Sequence, residues 1–274
     1  MISFCAKKVG VKKYLPIAYN LLPHTSAPFL LHKFLSPTRY TRPKREQRIW
    51  AQGKVLDCGD FQARAYNYHA EKKVVFVHGW SGRGSQFYAF VEPLVVAGYA
   101  VLLVDGPAHG DSEGTKTNLV DFTRALAKAL RNTNVHALVG HSFGGMSILL
   151  SAKLGLQAKK RISIGSPVYT AKVVEFFARR VGLKAHALAI LKKSLEKETK
   201  MEVEEVDAHP HFSTRDCDYL IVHDTKDKQV AVDRAESLQN KYLGAQTLIT
   251  EGLGHFRILS DQQVVAKIVD FIKS

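Results

Sequence analysis

The chain has 274 residues, of which 46% are hydrophobic and 23% charged, and its formal net charge at pH 7 is +14. This length fits one domain with an insertion, or at most two small domains. The composition is ordinary for a soluble globular enzyme and excludes a disordered or collagen-like chain. A chain of this size buries a substantial core without disulfides.

The positive charge is concentrated at the start of the chain. Residues 1–50 contain ten Lys or Arg against one acidic residue, Glu46, so this segment carries +9 of the total charge. Such a segment attracts anionic partners. Aromatic and basic residues do not alternate as on a nucleic-acid surface, so we expect no nucleic-acid binding. The favoured interpretation is a solvated basic segment packed on the domain, and a further hypothesis is weak contact with an anionic membrane.

Cysteine usage and hydropathy bear on the compartment. The three cysteines, Cys5, Cys58 and Cys217, form neither a CxxC pair nor a metal-ligand pattern, which favours a reducing compartment and no metal site. No signal peptide is evident, and the apolar stretch 15–35 is interrupted by prolines. The sequence therefore predicts a cytoplasmic protein without metal or organic cofactor, and it leaves the oligomeric state open.

Residues 1–52 are predicted to be a basic extension packed on the core. From residue 53 onward, short apolar runs alternate with helical patterns, which is typical of a mostly parallel sheet covered by helices. Strands are predicted at 53–58, 61–69, 74–78, 100–105, 135–140, 161–166, 218–224 and 246–250, the first two forming an antiparallel hairpin. Helical patterns occupy about 85–97, 117–131, the stretch after residue 142, 231–240 and 261–273.

One region interrupts this alternation. Residues 168–211 contain no strand pattern and instead show two helical patterns, at 173–182 and 185–198. In an open α/β sheet the ligand crevice lies at the carboxyl edge of the strands. The insertion is therefore predicted to be a helical cap over that edge, leaving 53–167 and 212–274 as the core. The alternative is a long crossover with extra helices.

A candidate nucleophile lies between a predicted strand and a predicted helix. The stretch Gly140–Gly144, GHSFG, matches G-x-S-x-G with Ser142 at its centre. A nucleophile on a strained strand-to-helix turn needs glycines beside it, because Cβ atoms there would clash. A phosphate-binding turn is the alternative, but the chain contains neither G-x-x-x-x-G-K nor G-x-G-x-x-G.

Serine needs a base, and the base needs an acid. Of the twelve histidines, His255 follows the last predicted strand, which places it at the same sheet edge as Ser142. Strand 218–224 ends in HDTKD, which offers Asp224 and Asp227. Asp227 is predicted to orient His255, because it lies on the loop beyond the strand, whereas Asp224 is predicted to brace that loop.

Two backbone N–H groups must stabilise the negatively charged oxygen of a tetrahedral intermediate. One is predicted to be that of Phe143, directly after the nucleophile. The other is predicted to be that of Trp80, in the loop HGWSG at 78–82, where Gly79 permits close approach of the backbone.

These motifs together resemble those of the α/β-hydrolase superfamily, over about residues 53–274. The resemblance rests on the dipeptide His78-Gly79, on DGPAHGDS from Asp105 and on GHSFGG from Gly140. HGWSGRGSQF, HDTKDKQV and EGLGHFRIL further resemble a little-characterised group of bacterial serine hydrolases. The chain departs from the usual pattern at Ala108, where the family has Gly in a structural turn. Ser142 stands where haloalkane dehalogenases and epoxide hydrolases have Asp, which argues against their chemistry.

The resemblance implies an α/β-hydrolase fold, with a mostly parallel sheet of about eight strands, helices on both faces and a helical cap. It also implies an intracellular hydrolase of the carboxyl-ester type. We expect a serine hydrolase that cleaves esters or thioesters of small to medium acyl groups through an acyl-enzyme. The alternatives are carbon–carbon or amide hydrolysis by the same triad, and a non-catalytic ligand-binding member of the fold.

Overall fold

The computed structural model describes residues 16–207 and 211–274. Cys5, the first part of the basic extension and three residues of the predicted cap lie outside these ranges. The helices are, in chain order, α1 (Pro23–Leu35), α2 (Lys44–Gln52), α3 (Tyr88–Val96), α4 (Leu119–Leu130), α5 (Phe143–Lys153), α6 (Thr170–Arg180), α7 (Ala185–Thr199), α8 (Asp233–Lys241), α9 (Gly254–Arg257) and α10 (Gln262–Lys273). The strands are β1 (Lys54–Asp57), β2 (Gln62–Tyr66), β3 (Lys73–Val77), β4 (Ala100–Asp105), β5 (Val135–His141), β6 (Lys160–Ile164), β7 (Asp218–Asp224) and β8 (Gln246–Thr250).

The strands form one eight-stranded sheet in the order β1-β2-β4-β3-β5-β6-β7-β8. β1 and β2 pair antiparallel, as do β2 and β4, and every pair from β4 to β8 is parallel. The predicted fold class, a mostly parallel sheet of about eight strands, is therefore confirmed. The carboxyl ends of the parallel strands meet at one edge, where the candidate site residues lie.

Burial on both faces explains the apolar runs of the central strands. Val74 and Phe76 of β3 belong to a core cluster with Phe90 of α3 and Ile268 of α10. Side chains of a strand alternate between the two faces of the sheet. Val75, which points to the opposite face, is also fully buried, and α5 packs against β3, β5 and β6. A parallel sheet covered on both faces requires such continuous apolar strands.

The described residues divide into two compact units. One contains residues 16–36 and 169–206, and the other contains the sheet, with residues 37–168, 207 and 211–274. The first unit has its own core of apolar side chains from α1, α6, α7 and the adjoining segments, namely Tyr19, Leu30, Leu35, Val174, Leu191, Leu195 and Val203. The predicted extension 1–52 is thus divided between the units after residue 36. A cap over the edge of the sheet stays a prediction.

Three of the helices α1–α10 were not predicted. α1 lies in the proline-interrupted apolar stretch, with Pro23 at its start, where its missing N–H costs nothing, and Pro28 inside it. α2 lies in the segment predicted only as basic, and α9 is a short helix in the loop that carries His255. In the two described ranges, no helix is both long and apolar enough to cross a bilayer.

Candidate active site

Ser142 lies at a strained turn between β5 and α5. Its φ of 53° and ψ of −120° place a residue with a side chain at a positive φ that only glycine adopts readily. Its backbone N–H donates to the carbonyl of Ile164 at the end of β6, over 2.9 Å. Such strain persists only where the surroundings determine the conformation, and it is concentrated at functional sites.

Glycines beside Ser142 make this turn sterically feasible. A Cβ atom at Gly140 would lie 2.4 Å from the carbonyl oxygen of Gly144, and one at Gly144 would lie 2.2 Å from that of Val77 in β3. A Cβ atom at Gly79 would lie 3.1 Å from the Cβ atom of Ser142. The loop after β3 therefore lies directly against the turn that carries the candidate nucleophile.

His255 and Asp227 form a buried hydrogen-bonded pair. His255 Nδ1 donates to Asp227 Oδ2 over 2.6 Å, and the two side chains are 5% and 2% exposed. Asp227 Oδ1 accepts the backbone N–H groups of Gln229 and Val230 over 2.8 and 2.9 Å. Burial opposes the charge, but the hydrogen bonds from His255 and Val230 outweigh it and lower the pKa of Asp227. An ionised carboxylate only accepts, so His255 Nδ1 carries the proton and its Nε2 is left as an acceptor.

The pair lies beside the Ser142 turn. His141, the residue before Ser142, donates from Nε2 to the backbone carbonyl of His255 over 2.8 Å, and the two rings are 4.5 Å apart. A Cβ atom at Gly165, which follows Ile164, would lie 3.3 Å from both His255 Nδ1 and Asp227 Oδ2. The structure thus brings together the three predicted residues, which follow the carboxyl ends of β5, β7 and β8. Within the described part of the chain, the Ser142 hydroxyl makes no hydrogen bond, and such bonds are often long in free enzymes.

Asp224 has a different environment from Asp227. Its carboxylate accepts the backbone N–H groups of Leu253 and Gly254, each over 2.9 Å, and the hydroxyl of Thr250 over 2.8 Å. These bonds connect the end of β7 to the segment just before His255. With its oxygens occupied by these donors, Asp224 holds the loop and makes no hydrogen bond to the His255 ring.

The backbone N–H groups of Trp80 and Phe143 have no hydrogen-bond partner among the residues that the structure describes. Phe143 is the first residue of α5, so its N–H has no acceptor within the helix. In the loop after β3, the Ser81 N–H donates to His109 Nε2 over 3.0 Å and the Gly82 N–H to the Gly79 carbonyl over 2.9 Å. The Trp80 N–H makes no hydrogen bond to any residue that the structure describes. The Trp80 and Phe143 rings meet edge to face with centroids 5.2 Å apart.

His78 and His109 fix this loop, a role that the sequence analysis did not assign to them. His78 donates from Nδ1 to the Gly79 carbonyl over 2.7 Å and accepts the Gly106 N–H at Nε2 over 3.0 Å. Burial lowers the pKa of His78 well below its ordinary value, so the ring stays neutral and can do both. In a trans peptide the carbonyl of Gly79 and the N–H of Trp80 point in opposite directions. Fixing that carbonyl therefore fixes the direction of the Trp80 donor.

The arrangement comprises a strained serine, a histidine–aspartate pair and the backbone N–H groups of Trp80 and Phe143. It can support nucleophilic attack on a carbonyl, followed by stabilisation of the resulting oxyanion. In the ranges 16–207 and 211–274, no group of three or more His, Cys, Asp or Glu side chains is placed to hold a metal ion.

Solved structures of low sequence identity share the fold. An esterase from Exiguobacterium antarcticum superposes with a TM-score of 0.60 at 18% identity, covering 81% of this chain and 100% of the esterase. A lipase described as putative, from Acinetobacter baumannii AYE, gives a TM-score of 0.61 at 17% identity, covering 86% and 98% of the two chains. At these identities the similarity establishes the fold alone.

A curated relative and a family match extend the comparison. The quorum-quenching protein AidA from Acinetobacter baumannii (strain MDR-ZJ06) is 34% identical over 114 residues, which cover 35% of this chain and 38% of AidA. The chain thus matches well under half of that relative's length. Residues 74–268 match the alpha/beta hydrolase family. This match includes most of the chain and the whole candidate site, and the protein belongs to the alpha/beta hydrolase family.

Proposed function

We propose that the protein is a serine hydrolase that cleaves carboxylic esters or thioesters of small to medium acyl groups. The observation that carries this proposal is the strained Ser142 beside a His255 ring whose Nδ1 donates to buried Asp227 over 2.6 Å. Family membership supports a hydrolytic reaction. Solved proteins of the same fold include the two already described and a thioesterase domain from the curacin biosynthetic pathway.

In the proposed acylation step, Ser142 Oγ attacks the acyl carbonyl carbon and its proton passes to His255 Nε2. That nitrogen is an acceptor because the Nδ1 proton is held by Asp227, whose charge also stabilises the imidazolium. The N–H groups of Trp80 and Phe143 stabilise the oxyanion. His255 then returns the proton to the departing alcohol or thiol, leaving an acyl group on Ser142.

Deacylation repeats the sequence with water. His255 Nε2 takes a proton from the attacking water, and the second tetrahedral intermediate is stabilised by the same two N–H groups. Its collapse breaks the bond to Ser142 Oγ, which regains a proton from His255 as the carboxylic acid leaves.

We propose a cytoplasmic location for this activity. Its support is that Cys58 and Cys217 are both free thiols, as is usual for proteins of a reducing compartment.

Covalent labelling with a fluorophosphonate, read by intact mass, tests the proposed nucleophile. We expect one label on the wild type and none on Ser142→Ala. Ser147→Ala, which removes another serine hydroxyl from α5, should label as the wild type does. A folded wild type that does not label would contradict the proposal and favour the ligand-binding alternative. p-Nitrophenyl esters of increasing acyl length, with thioester and anilide analogues, would then define the substrate class.

A further inference from the structure

The segment that precedes the sheet, residues 37–52, is bonded to the loop that carries Trp80. We call residues 37–52 the clamp segment and residues 79–85 the oxyanion loop. The Thr38 N–H donates to Ser81 Oγ over 2.9 Å. The Arg83 guanidinium donates to both carboxylate oxygens of Glu46, from Nε over 2.6 Å and from Nη2 over 2.8 Å. Ser85 Oγ donates to the same carboxylate over 2.8 Å.

The Glu46–Arg83 pair is buried, with Glu46 4% exposed and Arg83 9% exposed. A two-bond contact between a guanidinium and a carboxylate fixes direction as well as distance. Removing one partner leaves the other charge buried without compensation, and this forces the local structure to rearrange. The pair therefore holds the oxyanion loop in one position relative to α2.

The end of the oxyanion loop is held by Asp105. The Gly84 N–H donates to Asp105 Oδ1 over 2.7 Å, and a Cβ atom at Gly84 would lie 2.7 Å from the Val104 carbonyl. Arg42 of the clamp segment donates to the other oxygen of Asp105 and, over 2.5 Å, to Asp111. The oxyanion loop therefore packs against β4, and Arg42 of the clamp segment binds the same carboxylate that holds the loop there.

Ser81, next to Trp80, also needs external support. Its φ of 57° is in the left-handed region, which disfavours a residue with a side chain. Its N–H is bound by His109 and its hydroxyl by Thr38. Without the contact to Thr38, the loop loses one of the bonds that hold this residue in place.

We infer that the clamp segment is a positioning element of the active site. Glu46 acts through Arg83, and Thr38 acts through Ser81, to hold the Trp80 N–H where an oxyanion forms. This inference rests on the proposed function, in which that N–H is a donor. Oxyanion stabilisation depends on donors that are fixed before the reaction begins, and displacements of about 1 Å cost up to about 10²-fold in rate.

Two of the basic residues near the start of the chain, Arg39 and Arg42, have structural partners. Arg39 donates to the backbone carbonyls of Ser112 and Gly114, over 2.5 and 2.8 Å, and Arg42 is paired with Asp105 and Asp111. These two arginines hold the clamp segment on residues 105–114 of the same unit.

Kinetics of clamp variants test the inference. We expect Glu46→Gln and Thr38→Pro, which lacks the N–H that binds Ser81, to lower kcat by about 10- to 100-fold, less than the 10²–10³-fold of removing an oxyanion donor outright. KM should stay within about threefold of the wild-type value, because the Trp80 N–H binds the oxyanion of the transition state and not the substrate in its ground state. The apparent pKa of the base in the kcat/KM profile should stay unchanged, because the His255–Asp227 pair is untouched. Rates are expressed per active site titrated with fluorophosphonate.

Two further variants separate positioning from stability. Glu46→Met/Arg83→Met removes both charges and keeps the volume, which commonly preserves folding. Its kcat should still be lower than that of the wild type. Ile268→Ala, in the core beneath α3, should lower the Tm without lowering kcat per active site.

Hydrogen exchange of residues 79–85 needs no catalytic activity and should be faster in the clamp variants than in the wild type. Unchanged exchange together with unchanged kcat in a labelled enzyme would overturn the inference and leave the proposed function standing. A wild type that does not label would overturn the proposed function, and the catalytic role of the clamp with it.

Discussion

Replacement of Asp227 by Asn should reverse the tautomer of His255. Asp227 Oδ1 accepts two backbone N–H groups, from Gln229 and Val230. An Asn side chain must place its carbonyl oxygen there, because its NH₂ group cannot accept. The NH₂ group then takes the place of Oδ2, 2.6 Å from His255 Nδ1, and donates to it. The imidazole proton moves to Nε2, which can no longer accept the proton of Ser142.

The expected loss of kcat is large, because His255 can no longer act as the base. The equivalent substitution in a Ser-His-Asp protease lowers kcat about 10⁴-fold. We expect a similar loss here, which corresponds to about 5 kcal/mol in the activation barrier. Asp227→Ala leaves His255 free to adopt either tautomer, so its loss should be no greater than that of Asp227→Asn.

Acylation rates with a p-nitrophenyl ester, measured at neutral pH for both variants, test this reasoning. Asp60→Asn is a suitable control, because it removes an exposed carboxylate whose one ion-pair partner in the ranges 16–207 and 211–274 is Lys128, and it should react at the wild-type rate. If Asp227→Asn stays within tenfold of the wild type, Asp227 does not orient the base. Greater loss in the Ala variant than in the Asn variant would refute the tautomer argument.

Two more predictions concern pH and the membrane. Burial lowers the pKa of His109 to about 4. Between that pKa and the ordinary histidine pKa of ~6.5, His109 is protonated in the unfolded chain and neutral in the native state. The free energy of unfolding should therefore fall by up to about 3 kcal/mol as the pH is lowered from ~6.5 to ~4. In denaturation experiments, the free energy of unfolding of His109→Gln should depend less steeply on pH than that of the wild type, and an equal dependence would contradict this prediction. Leu21 and Leu22 are 74% and 61% exposed in the basic part of the chain. We expect the protein to bind anionic vesicles, and this binding should weaken with added salt and in the Leu21→Ser/Leu22→Ser variant. If the wild-type protein does not sediment with such vesicles even at low salt, the prediction of membrane contact is wrong.

The sheet could be predicted because its strands are defined by local patterns. β4, β7 and β8 have the predicted bounds, Ala100–Asp105, Asp218–Asp224 and Gln246–Thr250. Strands covered on both faces are continuous apolar runs, and the helices between them repeat apolar residues at their own period. The sequence order of these elements is enough to indicate a parallel sheet and the edge at which its loops meet.

α2 could not be predicted in the same way. Its sequence, KREQRIWAQ, is strongly polar, and its buried residues include Glu46. That glutamate is buried because Arg83, 37 residues away, neutralises it. Trp50 is similarly bound through Nε1 to Asp111 over 2.7 Å. Such elements are stabilised by distant partners, which no local pattern specifies.

The candidate site also has one part that local sequence specifies and one part that depends on distant residues. The sequence by itself determined the turn at Ser142, because the clash that excludes a side chain at Gly140 involves Gly144, four residues away in the same motif. The sequence favoured Asp227 over Asp224 by its place on the loop beyond the strand. Only the tertiary structure shows the contacts themselves, in which Asp227 Oδ2 accepts from His255 Nδ1 and Asp224 accepts the Gly254 N–H. Steric limits between near neighbours are visible in a sequence, whereas a hydrogen bond between distant residues exists only once the chain has folded.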